Sequence, residues 1–233
     1  MTAPAARGGP QVIPRPAGSR PGGPPPWSSL PGERRVTLDR LREAFAGRVG
    51  AASEVEGREE VRPSAVLAAF WEHEGETEVL LTRRSWELRS HTGQVSFPGG
   101  RSDPGETLVE AAMRESEEEV GLDVSGLEVL GELDHLMTVT SSSFIVPFVG
   151  LLPGRPEGLV ANPGEVDAVL FVPTSELLLD EVYREERWKW FTGEERSIFF
   201  FELVGDTVWG ATAAMLRQLL GLALGLQLGI AHR

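Results

Sequence analysis

Residues 100–122 read GRSDPGETLVEAAMRESEEEVGL, and this stretch decides the fold. Its DPG tripeptide at residues 103–105 predicts a turn, because proline fixes its own φ and glycine tolerates a positive φ. Thr107 followed by Glu110 has the spacing of a capping box, which predicts that a helix begins there. Gly121 suits the left-handed residue that closes a helix. The stretch therefore predicts a turn followed by a short helix that ends in a group of glutamates.

One face of this helix changes from apolar to acidic along its length. At about 100° per residue, that face carries Leu108, Ala111, Ala112, Glu115, Glu118 and Glu119. The three glutamates stand at i, i+3 and i+4, so their carboxylates can converge within about 6 Å. Two partly buried carboxylates repel by about 3 kcal/mol at an effective dielectric near 20, so a cation is expected between them. Oxygen ligands favour a hard divalent cation, and we predict Mg²⁺ or Mn²⁺.

Taken alone, a run of glutamates is more typical of a solvated helix face, but the spacing of the whole stretch favours a site. Residues 100–122 resemble the Nudix box, G-x5-E-x7-R-E-U-x-E-E-x-G-U, in which U is a bulky apolar residue. The specified positions that match are Gly100, Glu106, Arg114, Glu115, Glu118, Glu119, Gly121 and Leu122. The single departure is Ser116, which replaces the first apolar residue and alters no charged group. The resemblance implies an α/β fold, a Nudix-type α/β/α sandwich with a central mixed sheet.

A second motif ends where the first begins. Residues 80–100 read LLTRRSWELRSHTGQVSFPGG, which resembles the accessory signature of the coenzyme A pyrophosphatase branch of Nudix enzymes, L-L-T-x-R-S-x3-R-x3-G-x3-F-P-G-G. Every specified position matches. The tract WGATA at residues 209–213 is also similar to the segment that opens the last helix in that branch. The resemblance implies hydrolysis of coenzyme A to 4′-phosphopantetheine and adenosine 3′,5′-bisphosphate.

Basic side chains in the second motif lie close in sequence to the acidic helix. A ligand with several phosphates needs a metal for its bridging diphosphate and guanidinium groups for a remote phosphate. Coenzyme A carries both a diphosphate and a separate 3′-phosphate. Taken singly, each arginine is better explained by an ion pair with one of the abundant glutamates, and their clustering favours a ligand. The candidate substrate-binding residues are Arg83, Arg84, Arg89, His91, Gly99 and Gly100.

The predicted reaction gives the acidic residues their roles. In the hydrolysis of a diphosphate linkage, a metal neutralises charge on the bridging oxygens and a carboxylate takes a proton from water. Glu115, Glu118 and Glu119 are the predicted metal ligands, and Arg114 is predicted to orient them by ion pairing. Glu118 and Glu119 are also catalytic candidates. The general base stays open between Glu118 in the box and Glu165 in the NPGEVDAV loop.

Composition limits the classes of partner. The formal net charge of −13 at pH 7 argues against general nucleic-acid binding, because such a surface repels a phosphate backbone. The chain has no cysteine, which excludes disulfides and zinc-thiolate sites and agrees with the reducing cytoplasm that we expect. A length of 233 residues, 41% of them hydrophobic, suffices for one core. The resemblance implies instead a small-molecule substrate, coenzyme A or a related nucleotide, as the partner.

The sequence divides into a tail and one domain. Residues 1–35 contain PRPAGSRPGGPPP and lack the apolar run that a core needs, so we expect a flexible tail there. Residues 36–233 are expected to form the Nudix domain. Helices are predicted at 36–47 and 174–179, and strands at 65–71, 79–82, 95–99, 127–133, 144–152, 166–172, 188–191 and 198–204.

The apolar stretch at residues 211–231 approaches the length of a membrane span. Because Arg217, Gln218 and Gln227 interrupt it, we favour a buried closing helix, which could also belong to a homodimer interface, over a membrane anchor. Two further alternatives stay open. One is a pyrophosphatase of another nucleoside diphosphate compound, such as ADP-ribose or NADH. The other is a module that binds a nucleotide without hydrolysing it, against which the intact set of glutamates argues.

Overall fold

The computed structural model describes residues 6–51, 63–88, 90–137, 144–189 and 193–230. Its elements in chain order are β1 (Arg20–Pro21), α1 (Leu38–Phe45), β2 (Ser64–His73), β3 (Glu76–Arg84), β4 (Val95–Ser96), β5 (Gly99–Arg101), α2 (Leu108–Val120), β6 (Glu128–Glu132), β7 (Leu136–Met137), β8 (Phe144–Leu151), β9 (Val166–Pro173), α3 (Thr174–Leu177), β10 (Tyr183–Lys189), β11 (Glu195–Glu202), β12 (Thr207–Trp209) and α4 (Gly210–Ala223).

The larger sheet is mixed, as predicted. Its hydrogen-bonded order is β4-β3-β2-β8-β6, and β5, β7 and β9 pair with β2, β8 and β3. β2 runs parallel to β8, with Ala65 opposite Val146, whereas its pairs with β3 and β5 are antiparallel. β2 is buried over most of its length because it lies inside the sheet and both of its faces are covered.

Alternate residues of β2 face opposite sides of this sheet, since successive side chains of a strand point in opposite directions. One buried cluster contains Val66, Ala68 and Phe70, and the other contains Ala65, Leu67, Ala69 and Trp71. The first cluster includes residues of α1 and α4, and the second includes residues of α2. Helices therefore cover both faces of a mixed sheet, which confirms the predicted α/β/α sandwich.

The predicted strand at 95–99 is broken into β4 and β5. Pro98 lies between them, and a proline has no backbone N–H to donate to a neighbouring strand. The carbonyl of Pro98 instead accepts a hydrogen bond from Leu67 N at 2.9 Å. The break separates β4, which pairs with β3, from β5, which pairs with β2. It brings the glycines of β5 alongside α2.

A second sheet, in the order β1-β10-β11-β12, packs beside the first. The predicted strand pair near residues 188–204 is present, although β10 begins earlier, at Tyr183. The sequence YREERWK hides this start because most of its residues are charged. Glu186 and Trp188 are buried on one face of β10 and Tyr183 is buried on the other, so both faces of the strand are partly covered. Residues 190–192, which the prediction partly included, lie outside the described residues.

The amino-terminal segment differs from the flexible tail expected over residues 1–35. Its described part, residues 6–35, packs on the second sheet. Trp27 is 0% exposed, and its Nε1 donates to the carbonyl of Leu178 at 3.1 Å. β1 pairs with β10 through Arg20 opposite Arg187. A proline-rich chain cannot build its own core, but a few anchors can hold it against a core that other residues supply.

The last helix, α4, buries most of its residues within the chain, as expected for a closing helix. It is shorter than the apolar stretch that predicted it and ends at Ala223, because the chain turns there and Leu226 N bonds to the carbonyl of Gly221 at 2.8 Å. Its 14 residues extend for about 21 Å. Among the helices of the described residues, none combines the length and the hydropathy that crossing a membrane requires.

Candidate active site

Helix α2 begins and ends where the sequence predicts. The side-chain oxygen of Thr107 accepts from the backbone of Glu110, and the Glu110 carboxylate accepts from Thr107 N at 2.9 Å. Gly121 closes the helix in the left-handed conformation at a φ of 67°. Ser116, the departure from the Nudix box, is fully buried, and its hydroxyl donates to the carbonyl of Ala112 at 2.7 Å. The serine is therefore accommodated without an unpaired hydroxyl.

Two glycines of β5 let the backbone approach the glutamates of α2. A Cβ on Gly100 would lie 2.4 to 2.6 Å from the carboxyl atoms of Glu115, so a side chain there would displace that carboxylate. Gly99 has a φ of 148°, and its N–H donates to Glu119 Oε2 at 3.3 Å. Gly99 and Gly100, which the sequence proposes for substrate binding, thus lie against the carboxylates of Glu115 and Glu119, which we call the acidic group. The two glycines determine the positions of these carboxylates.

The carboxylates of Glu115 and Glu119 lie against adjacent glycines of β5, and the charge of Glu165 acts on both. Glu119 is 5% exposed, and burial raises its pKa to about 7 although the Gly99 N–H and the charge of Arg84 oppose the shift. The charges of Glu115 and Glu165 add to the rise. Burial also raises the pKa of Glu115, against the opposing effect of its pair with Arg114. Negative charge is therefore concentrated around a partly buried set of oxygen atoms.

Arg114 binds the outer side of the acidic group. Its Nη1 lies 3.1 Å from Glu115 Oε1 and 3.0 Å from Glu118 Oε2, and its Nε lies 2.8 Å from Glu106 Oε1. Hydrogen bonds to the carboxylates of Glu106, the largest contribution, and of Glu115 raise the pKa of Arg114 above its usual value. The structure thus places Arg114 in the ion pairs that the sequence predicts for it, and these pairs orient Glu115.

The structure does not bring all three predicted metal ligands into one cluster. The Glu118 side chain is 58% exposed, whereas Glu119 is buried. The reason is the rotation of α2, whose buried stripe continues through Ser116 and Glu119, so that Glu118 lies at the solvent edge. Within the described part of the chain, no group of three His, Cys, Asp or Glu side chains is arranged to hold a metal ion.

The residues present nevertheless fit a hard divalent cation. The carboxylates of Glu115 and Glu119 pack against the backbone of β5. The negative charge of Glu165 acts on both of them. Such oxygen donors are the ligands that Mg²⁺ and Mn²⁺ prefer. Mutual repulsion of the carboxylates supplies the reason to bind a cation. Glu118 can join them because its i, i+3 spacing from Glu115 places it on the neighbouring turn.

Glu165 lies on the loop that directly precedes β9. In this loop, Asn162 N donates to the carbonyl of Glu119 at 2.8 Å. Ser85 N, at the end of β3, donates to the carbonyl of Glu165 at 2.8 Å. Two backbone hydrogen bonds therefore hold this loop between α2 and the accessory motif. The loop carries Glu165, whose charge acts on both Glu115 and Glu119.

The two neighbouring arginines of the accessory motif differ in what they bind. Arg83 Nε lies 2.8 Å from Asp167 Oδ2, and its Nη1 lies 2.9 Å from Asp206 Oδ2. Arg84 Nε is buried and has no hydrogen-bond partner among the described residues. The charge of Arg84 acts on Glu119. Arg84, more than Arg83, therefore keeps donor capacity for an anionic ligand at the acidic group.

Of the other two candidate substrate-binding residues, the structure describes His91, which lies in the loop after β3. His91 is exposed, and its Nδ1 lies 2.9 Å from Gln94 Oε1. Its φ of 56° is rare for a residue with a side chain, so the turn at this point is tightly specified. Arg89 lies outside the described residues.

Sequence reasoning missed two buried polar residues behind Arg83. Asp206 is 4% exposed and accepts two hydrogen bonds from Arg83, at 2.9 and 3.1 Å. Gln11 is 8% exposed and donates to Asp206 Oδ1 at 2.7 Å. Because 195 positions separate Gln11 from Asp206, no spacing pattern links them. The family motifs include neither position.

Comparison with known proteins gives consistent results. The model of the NUDIX domain matches residues 61–193. Nudix hydrolase 3 of Caenorhabditis elegans is 37% identical over 172 residues, which cover 68% of this chain and 72% of that protein. An uncharacterized Nudix hydrolase NudL of Photorhabdus laumondii is 39% identical over 146 residues, 60% of this chain and 74% of that protein.

A plant relative and a solved structure extend the comparison. The mitochondrial Nudix hydrolase 15 of Arabidopsis thaliana is 36% identical over 170 residues, which cover 66% of this chain and 56% of that protein. The crystal structure of a MutT/nudix family protein from Enterococcus faecalis superposes with a TM-score of 0.49 at 18% identity, covering 72% of this chain and 63% of that one.

Proposed function

Since the chain belongs to the Nudix hydrolase family, we propose that it hydrolyses the diphosphate linkage of coenzyme A, releasing 4′-phosphopantetheine and adenosine 3′,5′-bisphosphate. Membership of the family gives the reaction class, pyrophosphohydrolysis of a small molecule of the nucleotide type. The choice of coenzyme A rests on one observation. The accessory signature, residues 80–100, ends on the two glycines against which the carboxylates of Glu115 and Glu119 lie.

We assign Glu115, Glu118 and Glu119 as the residues that hold the divalent metal that Nudix enzymes typically use, here Mg²⁺ or Mn²⁺. When bound, such a cation neutralises diphosphate charge and makes water a stronger acid. Glu115 and Glu119 are already fixed against β5, whereas Glu118 must leave its pair with Arg114. Arg114 keeps its bonds to Glu106 and so continues to orient the helix face.

Glu165 is the proposed general base. Its charge acts on both Glu115 and Glu119, and its backbone carbonyl accepts from Ser85 N at 2.8 Å, just after the strand that carries Arg84. It is exposed and has no ion pair to an arginine or lysine among the described residues, which leaves its oxygens able to accept a proton from water. Glu118, the other candidate, is bound to Arg114.

The basic residues divide the phosphates of the substrate between them. Arg84 is proposed to bind the diphosphate, because its buried Nε has no hydrogen-bond partner among the described residues and its charge acts on Glu119. Arg89 and His91 are proposed to bind the 3′-phosphate, because they follow in the same motif. Arg83 is proposed to be structural, since its guanidinium is shared by Asp167 and Asp206.

The testing experiment is a hydrolysis assay of the full chain with Mg²⁺ or Mn²⁺ against coenzyme A, dephospho-coenzyme A, ADP-ribose and NADH. Release of 4′-phosphopantetheine with a kcat/KM for coenzyme A about tenfold above that for dephospho-coenzyme A is expected. A preference for ADP-ribose or NADH would keep the chemistry and reject the substrate. Metal-dependent binding without turnover would favour a non-hydrolysing nucleotide-binding module.

The variant Arg89→Ala sharpens the choice between coenzyme A and its dephospho form. If this arginine binds the 3′-phosphate, KM for coenzyme A rises by about tenfold or more, whereas KM for dephospho-coenzyme A changes little. Equal effects on both substrates would show that Arg89 does not contact the 3′-phosphate.

We propose the cytoplasm as the compartment, on the ground that a chain without cysteine suits a reducing environment. The mitochondrial and chloroplastic locations in the names of two Arabidopsis relatives belong to those proteins. Imaging of a fluorescent fusion in the source cell tests the proposal.

A further inference from the structure

The start of the described chain docks where the second sheet meets the accessory motif. Gly8 N donates to the carbonyl of Leu203 at 2.7 Å, and Gly9 N donates to Thr207 Oγ1 at 3.2 Å. A Cβ on Gly9 would lie 2.6 Å from Asp206 Cα, so only glycine lets the chain pass this close. The docked segment lies outside residues 61–193, which match the family.

Gln11 uses both ends of its buried amide at this place. Its Nε2 donates to Asp206 Oδ1 at 2.7 Å and to the carbonyl of Gly93 at 3.1 Å, and its Oε1 accepts from Thr207 N at 2.9 Å. Both amide hydrogens are thereby bound. A buried side chain with three such bonds is held in one position. Gln11 therefore links the second sheet to the accessory motif.

The carbonyl that Gln11 binds belongs to a turn that we call the accessory turn, residues 90–94. Gly93 N donates to the carbonyl of Arg84 at 3.2 Å, and Arg84 N donates to the carbonyl of Gln94 at 2.9 Å. These bonds attach the turn to Arg84. Any side chain at Gly93, whose φ is 64°, would strike the ring of Trp86, 2.2 Å from its Cβ.

The Gln11 amide is also linked to Arg83, because both side chains donate to Asp206. Asp206, which accepts from Gln11, accepts two hydrogen bonds from Arg83. Arg83 directly precedes Arg84 on β3. Gln11 therefore contacts the accessory turn directly and contacts the strand that carries Arg84 through one further side chain.

We infer that Gln11 is a positioning residue for substrate recognition, which holds the accessory turn and β3 in the arrangement that binds the substrate's phosphates. The inference rests on the proposed function in that the accessory motif contacts the substrate. Gln11 does not touch the acidic group and takes no part in proton transfer. Its loss therefore weakens substrate binding and leaves the chemical step intact.

The test uses Gln11→Met in the full chain, because methionine keeps the length of the side chain and removes its hydrogen bonds. KM for the diphosphate substrate is expected to rise about tenfold while kcat stays within about twofold of the unmodified chain. Hydrogen exchange at the amides of Arg84 and Gly93 is expected to accelerate about tenfold.

Trp27→Phe is the matched control. It weakens another anchor of the same segment, the indole bond to the carbonyl of Leu178, without touching the accessory turn. This variant is expected to lower Tm and to leave KM and the exchange of residues 90–94 unchanged. A change of KM equal to that of Gln11→Met would mean that general loosening of the segment, not Gln11, is responsible, and would overturn the inference.

The remaining outcomes separate this inference from the proposed function. If the unmodified chain prefers another diphosphate and the KM effect appears with that compound, the substrate proposal fails and the inference stands. If coenzyme A is hydrolysed and Gln11→Met changes neither KM nor exchange, or changes exchange alone, the inference fails and the substrate proposal stands. If nothing is hydrolysed, the Kd for coenzyme A takes the place of KM, and an unchanged Kd overturns the inference.

Discussion

Helix α2 and the amino-terminal segment are held in place in opposite ways. The capping box of α2 joins Thr107 to Glu110, three residues apart, and Glu119 binds the backbone of Gly99, 20 residues away. In the amino-terminal segment, Gln11 binds Thr207 across 196 positions and Trp27 binds Leu178 across 151. One region is held by contacts between near neighbours in sequence, and the other by contacts between distant parts of the chain.

This difference matches a difference in role: α2 supplies the candidate catalytic carboxylates, and the amino-terminal segment holds the accessory motif, residues 80–100, in place. Carboxylates at helical spacing act together because the helix itself sets their distances. The accessory motif works only where other parts of the chain hold it, since a loop has no internal period that fixes its shape. Changes in α2 should therefore affect turnover most, and changes in the amino-terminal segment should affect stability and KM.

The largest effect is expected from Glu119→Gln. Replacing this buried carboxylate removes a negatively charged oxygen from the proposed metal ligands, so kcat should fall by about a thousandfold or more. Far-ultraviolet circular dichroism should be unchanged. Glu117→Gln, an exposed position on the same helix, is the control and should keep normal turnover. Turnover of Glu119→Gln near that of the control would remove Glu119 from the metal ligands.

The amino-terminal segment is tested by Trp27→Ala. This change leaves a cavity in place of a fully buried side chain beside Tyr183 and Phe201. The free energy of unfolding should fall by about 3 to 5 kcal/mol, the usual cost of such a truncation. Val12→Ala, in the same segment but 87% exposed, should change it by less than about 0.5 kcal/mol. Urea unfolding measures both. Equal, small effects would mean that the segment is only loosely attached, as the sequence predicts for a tail.

A smaller difference is expected between Glu165 and Glu118. If Glu165 is the base, Glu165→Gln lowers kcat by about a hundredfold at saturating metal. Glu118→Gln should mainly raise the metal concentration needed for half-maximal activity, because Glu118 is the proposed ligand that is exposed and paired with Arg114. The reverse pattern in a metal titration of the two variants would exchange their roles.

The last prediction concerns stability without metal. Glu119 has a pKa of about 7 when folded, above the 4.5 of a free glutamate, because its burial disfavours the charged form. The folded chain therefore binds this proton more tightly than the unfolded chain, and its stability falls as the pH rises from about 4.5 through about 7.

Glutamine carries no such penalty. With a chelator at pH 8, Glu119→Gln should be more stable than the unmodified chain by about 2 to 3 kcal/mol, and the gain should vanish near pH 4. Urea unfolding at both pH values measures it. A gain that is the same at both pH values would show that ionisation of Glu119 is not its cause.

Much of the acidic helix could be predicted from spacing. Thr107 and Gly121 mark both ends of α2, and the spacing of the glutamates places them on one helix. The angle of 100° per residue did not say which part of that face is buried. Packing of α2 on β2 and β5 decided this, and it buried Glu119 while leaving Glu118 exposed.

The accessory motif was recognised as a pattern, but the pattern did not distinguish its arginines. Arg83 and Arg84 are adjacent and chemically identical, and alternation along β3 gives them different surroundings. Asp167 and Asp206 bind Arg83, whereas Arg84 Nε is left without a partner among the described residues. Neither aspartate lies at a distance along the chain that a motif would record.

By itself, the sequence determined the turn and helix of residues 100–122, the set of glutamates and the accessory signature, because these depend on spacing over a few residues. Only the tertiary structure decided which glutamate is buried, which arginine keeps a free donor, and that the amino-terminal segment docks on the second sheet through Gln11 and Trp27. Those outcomes depend on which distant residues meet in the folded chain. Burial and pairing follow from that meeting, and no local period in the sequence encodes it.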